Sequence, residues 1–198
     1  MNNSDINNHF GDMDLFLMDA ILKGKIPEGG RILDAGCGEG RNAIYFLQNG
    51  YEYHGWDLEE SGIRLVEYLA KNSEGVNANF KVADFRTEEP NQPFDIIICS
   101  RVLHFARDEE DFKLMINAMD KLLKESGLLY FSMDSVVGSS IAKPLPDGKW
   151  EFPGGKIRFS LTEDLYEETK KGFEEIEPLK TVIYQNERAQ SFALLKKL

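Results

Sequence analysis

Gly30-Arg31-Ile32-Leu33-Asp34-Ala35-Gly36-Cys37-Gly38-Glu39-Gly40-Arg41-Asn42 is followed by a short apolar stretch and then by Tyr51-Glu52-Tyr53-His54-Gly55-Trp56-Asp57. Arg31, Ile32 and Leu33 read as a short buried strand closed by Asp34. Gly36, Gly38 and Gly40 follow at every second position. Ala43, Ile44, Phe46 and Leu47 form one apolar helical face, and Gly50 stops that helix. Tyr51 to Trp56 read as a second strand with Asp57 at its end. Strand, glycine turn, helix and strand with a terminal acid is a nucleotide-binding half-fold. Glycines allow positive φ and let a ligand lie against bare backbone. A carboxylate at the end of the second strand can accept hydrogen bonds from both ribose hydroxyls.

The spacing selects among nucleotides. A dinucleotide site, G-x-G-x-x-G, needs its third glycine where this chain has Arg41, and no G-x-x-x-x-G-K-[ST] occurs. Asp34 would repel a pyrophosphate, whereas it suits a ligand with a positive ammonium or sulfonium. S-adenosylmethionine carries both, so D-x-G-x-G-x-G over residues 34–40 fits it better than NAD.

On these residues the chain resembles the class I S-adenosylmethionine-dependent methyltransferases, from about residue 10 to the C-terminus. Within that group, Cys37-Gly38-Glu39-Gly40-Arg41-Asn42 followed by Tyr45-Phe46-Leu47 and Gly50-Tyr51 is similar to the small tellurite-resistance and thiopurine-type enzymes. The resemblance implies cofactor contacts from Asp34, Gly36, Cys37, Gly38, Gly40, Arg41, Asn42, Asp57, Leu58, Asp84, Phe85, Ser100 and Arg101. It implies that Asp84 faces the adenine amino group and Phe85 lies beside the ring. Backbone carbonyls after the fourth strand would hold the methionine ammonium. Arg41 and Asn42 open a helix whose N-terminus can receive the cofactor carboxylate.

The chain has 198 residues, 42% hydrophobic and 29% charged, which suits one domain with a sizeable core. We expect a flexible segment over residues 1–9 and a single domain over 10–198. No apolar run approaches the roughly 20 residues needed to cross a bilayer. The polar stretch Met1–His9 lacks Lys and Arg and reads as neither signal nor transit peptide. Cys37 and Cys99 are too few for a disulfide framework; they read as reduced thiols in a cytoplasmic protein. A net charge of −11 argues against general nucleic-acid binding, which needs a basic face.

The remaining pattern alternates. Helices are expected over Asp12–Lys23, from a Ser61 cap to about Asn72 with Ile63, Val66, Leu69 and Ala70 inward, over Asp108–Glu125, and from Thr162 to about Lys171. Strands are expected over Phe80–Phe85, Phe94–Ser100 and Leu128–Met133, then over 173–185 and 188–197 joined near Asn186. Alternating βα units closed by an antiparallel pair predict an α/β, doubly wound, seven-stranded, mostly parallel sheet with helices on both faces. The resemblance implies the strand order 3-2-1-4-5-7-6.

Cys99-Ser100-Arg101-Val102-Leu103-His104-Phe105 is the second candidate for chemistry. His104 reads either as a general base or as a histidine bonded to backbone. Arg101 either attracts an anionic substrate or lays its stem along the surface. No Cys/His cluster has zinc spacing. Residues 143–159 hold Pro144, Pro146, Gly148, Pro153, Gly154, Gly155, Trp150, Phe152 and Phe159. There Lys143, Lys149, Lys156 and Arg158 oppose Asp147 and Glu151. This reads either as a substrate lid over a small anionic or aromatic acceptor or as a surface hairpin.

These residues imply methyl transfer by in-line displacement to a small-molecule acceptor, in which positioning carries most of the rate. The lack of a clear acid/base pair leans towards soft nucleophiles. Two other classes fit less of the pattern: a cofactor-binding sensor or partner protein without catalysis, and a NAD-dependent oxidoreductase.

Overall fold

The computed structural model describes residues 9–71, 77–185 and 187–198. Alternating apolar residues build a sheet buried on both faces. In β1 (Arg31–Ala35) and β4 (Phe94–Ser100), Ile32, Ile96 and Ile98 face one core while Leu33, Ile97 and Cys99 face the other. Successive side chains point to opposite faces of a strand, so a near-continuous apolar run requires cover on both sides. Helices α1 (Leu15–Leu22), α2 (Ala43–Gln48) and α3 (Glu60–Lys71) cover one face through Leu17, Ala20, Phe46 and Val66. Helices α4 (Glu109–Leu122) and α5 (Glu163–Thr169) cover the other through Phe112, Met115, Met119 and Leu165.

The remaining strands of the main sheet are β2 (Glu52–Asp57), β3 (Ala78–Val82), β5 (Leu123–Asp134), β9 (Phe173–Tyr184) and β10 (Arg188–Lys197). Their order is β3-β2-β1-β4-β5-β10-β9, which is 3-2-1-4-5-7-6 when the main-sheet strands alone are counted. The first five strands pair in parallel, and β10 runs antiparallel between β5 and β9. Parallel strands present their C-terminal ends at one edge, where the loops after β1, β2, β3 and β4 meet.

Several boundaries differ from the sequence reading. β3 ends at Val82, so Asp84 and Phe85 lie in the turn beyond it rather than at the strand end. Asp34 lies inside β1, paired with Gly55 and Ile98. Ser61 lies inside α3, and Leu69 is exposed because β3 is the outermost strand and leaves the far side of that helix uncovered. α4 ends at Leu122, three residues early, where Leu123 is already extended. The Lys197 ammonium donates to the carbonyls of Asp120 (2.7 Å) and Leu123 (3.3 Å), a cationic cap on that terminus. The expected junction at Asn186 and residues 1–8 of the segment 1–9 expected to be flexible lie outside the described residues, and His9 is in a helical turn with Phe10.

The proline- and glycine-rich segment is a second, three-stranded antiparallel sheet of β6 (Lys143–Pro144), β7 (Lys149–Phe152) and β8 (Lys156–Phe159). It is anchored rather than free. Phe152 and Phe159 are buried, Phe159 stacks on Phe112 of α4 at 5.6 Å, and Lys156 Nζ lies 3.2 Å from the buried Asp134 carboxylate. Among the described residues no helix is long and apolar enough to cross a membrane.

Candidate active site

The glycine turn is shaped by close approach of its neighbours. Gly36 (φ +81°) faces the loop after β4 so tightly that a Cβ there would lie 2.3 Å from Val102 Cγ2. Gly40 (φ +80°) has the same relation to Val66 Cγ2 of α3, also at 2.3 Å. A side chain at either position would be strained and would also clash. Asp57 at the end of β2 ties the turn down: its Oδ2 accepts the Gly38 N–H at 2.7 Å and its Oδ1 the Glu59 N–H at 2.9 Å.

A cleft of about 390 Å³ opens at the C-terminal edge of the sheet. Among its lining residues are Gly36, Asp57, Leu58, Asp84, Phe85, Ser100 and Arg101. Sequence reading had picked out all seven. Cys37, Gly38, Gly40, Arg41 and Asn42 are not in its lining, and Asp34 lies wholly buried beneath the turn.

Asp34 is a strongly perturbed carboxylate. Tyr53 donates its hydroxyl to Oδ2 at 2.6 Å, while Oδ1 is buried with no hydrogen-bond partner among the described residues. Burial raises its pKa from 3.8 to about 6, opposed by the Tyr53 hydrogen bond.

Asp84 carries a neighbour that its motif does not reveal. The Arg86 guanidinium grips its carboxylate through Nε (2.9 and 3.0 Å) and Nη2 (2.6 Å), and the Arg86 N–H adds a backbone bond at 2.9 Å. Arg86 holds the Asp84 carboxyl below the usual carboxylate range. Arg86 Nη1 reaches Asp111 of α4 at 3.2 Å. Asp111 is held down at about 2, chiefly by its hydrogen bond to Arg107.

The glycine turn and β4 share a second cluster. Arg41 Nη2 donates to Ser100 Oγ at 2.8 Å, and Ser100 donates to Asp14 Oδ2 at 2.8 Å. Asp14, the N-cap of α1, also accepts from Ser132 (2.8 Å), Tyr130 (2.8 Å) and the Phe16 N–H (3.1 Å). Asn42 accepts the Asp14 N–H at 3.1 Å. Sequence reading missed Asp14, Tyr130 and Ser132. An acid just ahead of an apolar helical run signals a helix cap, but nothing local signals partners more than a hundred residues away.

The loop after β4 is strained. Arg101 has φ +63°, a conformation that non-glycine residues adopt at a cost of about 1–3 kcal/mol and that clusters at functional sites. Its N–H donates to the Ser132 carbonyl at 2.8 Å. His104 follows in a 3₁₀ turn (Leu103–Phe105), buried and packed on Phe105 at 4.5 Å between ring centres. Its Nδ1 is buried without a partner among the described residues. Burial lowers its pKa from 6.5 to about 4; Arg158, Lys156 and Arg101 push the same way, and Asp134 opposes them. His104 is therefore neutral at pH 7 and a weak base. Cys37 and Cys99 are buried free thiols whose pKa burial raises.

Residues 32–127 match the family model described as a methyltransferase domain. That segment is just under half of the chain, and the strand order of the whole is the one expected of the class I S-adenosylmethionine-dependent methyltransferase fold. Among named relatives, the chain is similar to TehB of Haemophilus influenzae, named as an S-adenosyl-L-methionine-dependent methyltransferase. They are 30% identical over 91 residues, covering 46% of this chain and 32% of TehB. It is also similar to YqeM of Bacillus subtilis, named as a methyltransferase: 29% identity over 128 residues, 64% of this chain and 50% of YqeM. The chain thus spans half the length or less of these two relatives. Among solved structures, magnesium protoporphyrin IX methyltransferase (ChlM) from Synechocystis PCC 6803 with bound SAH superposes with a TM-score of 0.71. It shares 20% identity and covers 100% of this chain and 89% of that one.

Proposed function

We propose that this protein is an S-adenosylmethionine-dependent methyltransferase that acts on a small-molecule acceptor. One observation carries the reading: residues from the ends of β1, β2 and β4 and from the turn after β3 converge on a single cleft beside a glycine turn. Its 390 Å³ is within the range of small-molecule sites. Asp34, buried beneath the glycine turn and outside the cleft lining, would favour a cationic ligand through its charge rather than by direct contact. A cation binds such a site better than a pyrophosphate does.

In this reading Asp57 takes the ribose hydroxyls, since each carboxylate oxygen keeps a free lone pair beyond its backbone bond. Phe85 lies beside the adenine, and Asp84, pinned by Arg86, faces its amino group. Arg41, steadied by Ser100, receives the cofactor carboxylate. S-adenosylmethionine supplies a methyl on a sulfonium, a leaving group good enough that alignment of the acceptor carries most of the rate. A neutral, weakly basic His104 suits a nucleophile that arrives already deprotonated or soft. The buried free thiols fit a reducing, cytoplasmic setting.

Thermal unfolding tests the cofactor. S-adenosylhomocysteine and S-adenosylmethionine should each raise the melting temperature. At a hundred times Kd the gain is about 2.7 kcal/mol. Stabilisation by NADH, with no response to either sulfur nucleoside, would point to an oxidoreductase instead.

We infer that the acceptor lies under residues 143–159. Support comes from Phe105, which lines the cleft and has the Arg158 guanidinium 5.7 Å from its ring centre, so β8 lies beside the cofactor edge. Trp150 sits opposite Arg158 and Pro144 in the small sheet. Trp150→Ala is expected to leave S-adenosylhomocysteine affinity within about twofold and to depress turnover. Wild-type turnover with an unaltered acceptor Michaelis constant would remove Trp150 from the acceptor site.

A further inference from the structure

Six polar or charged groups gather where the small sheet crosses the loop after β4. Asp134 lies at the end of β5, with Lys156 Nζ at 3.2 Å and Gln190 Nε2 at 3.3 Å on its two oxygens. That anion is therefore already partnered by a cation. Arg158 and Arg101 are not: neither has a carboxylate partner among the described residues. Arg158 Nη1 donates to the carbonyl of its neighbour Ile157 at 3.0 Å, while its Nε is buried and unpartnered. His104 Nδ1 is buried and unpartnered in the same region. Buried polar atoms are almost always hydrogen-bonded, so two orphans under one small sheet call for a ligand.

The chemistry of the surroundings says which ligand. Two unneutralised guanidiniums select an anion, and a guanidinium matches the two oxygens of a carboxylate in its own plane. Phe105, 66% exposed, presents an aromatic face beside Arg158 and opens into the cofactor cleft. A flat ring favours a flat acceptor.

We propose that the acceptor is a planar aromatic carboxylate, its anionic group received by Arg158 with Arg101 and its ring laid against Phe105. This rests on the methyltransferase reading of the cleft and names the substrate class for it. Arg101, whose left-handed backbone turns the chain at the end of β4, lines the cofactor cleft beside Phe105, and both Arg101 and Arg158 act electrostatically on His104. The small sheet then has a definite task, to bring Arg158 over the cofactor edge, and the Lys156–Asp134 pair anchors it there.

The test uses the full chain saturated with S-adenosylhomocysteine and titrated with benzoate or its neutral isostere benzamide at fixed ionic strength, read by calorimetry. Benzoate should bind at least tenfold more tightly than benzamide. Arg158→Gln should weaken benzoate at least tenfold while leaving S-adenosylhomocysteine within twofold. Arg101→Gln, in an exposed turn with little packing to lose, should weaken benzoate at least threefold and guards against misfolding of the first variant. Equal binding of benzoate and benzamide, no benzoate binding, or unchanged benzoate affinity in both variants overturns the proposal. If wild type fails to bind S-adenosylhomocysteine, the cofactor reading falls. Benzoate binding to the nucleoside-free protein, lost in Arg158→Gln, would then uphold the anion site by itself.

Discussion

Asp34→Asn should stabilise the folded protein by about 2–3 kcal/mol at pH 7 and at the same time weaken its hold on S-adenosylhomocysteine. A carboxyl with a pKa of about 6 folded and 3.8 unfolded keeps its proton more tightly in the native state. Between those two values the native state binds more protons than the unfolded chain, so stability falls as pH rises. Above pH 6 the penalty is complete, and two pKa units correspond to roughly 3 kcal/mol. Asparagine keeps an acceptor for the Tyr53 hydroxyl and carries no charge to desolvate. Urea unfolding of both proteins should therefore differ at pH 7 and converge near pH 4. A pH-independent difference would mean that Asp34 is not a strained buried anion. The loss of cofactor affinity is the other half of the prediction: a charge kept at a cost to folding is expected where a cation binds.

Asp57→Ala should weaken S-adenosylhomocysteine binding by about 2–4 kcal/mol, a thirtyfold to nearly thousandfold rise in Kd. Hydrogen bonds to a charged group contribute about 1.5–3 kcal/mol each and seldom add fully. Part of the loss will come through the turn, because Asp57 Oδ2 is the acceptor for the Gly38 N–H. Asp57→Asn separates the two contributions: it retains an acceptor for that N–H and gives up the charge. Calorimetry should place Asn between wild type and Ala. An Ala variant that folds and binds with wild-type affinity would move the ribose away from Asp57.

The alternation of strands and helices was legible because apolar periodicity is a local property. Ile96-Ile97-Ile98 could be read as buried on both faces before the covering helices were known. Helix ends were less legible. α4 stops three residues early, where Leu123 is already extended and Lys197, more than seventy residues on, meets its last carbonyls. The small sheet announced itself only as punctuation, since its strands are two to four residues long and carry little periodicity. At the cleft, residues inside the glycine motif or at expected strand ends could be named in advance. Arg86, the partner of Asp84, and Asp14, joined to Tyr130 and Ser132 across more than a hundred residues, could not. Their roles exist only once the sheet has brought the segments together.

The place of β10 between β5 and β9 governs the order in which the chain can mature. Synthesis delivers β1 to β5 with their helices first, and domains begin folding from the N-terminus. Until residues 188–197 arrive, β5 ends that sheet with its outer backbone groups open, although most of its side chains are destined for burial. An uncovered strand of this kind is a template for pairing with another chain. The pairing that closes it brings Gln190 to Asp134 and Leu195 to Leu129, contacts of long sequence separation that form slowly. A chain truncated before residue 188 is therefore expected to aggregate more readily than the full chain, which sedimentation of the two after refolding would check.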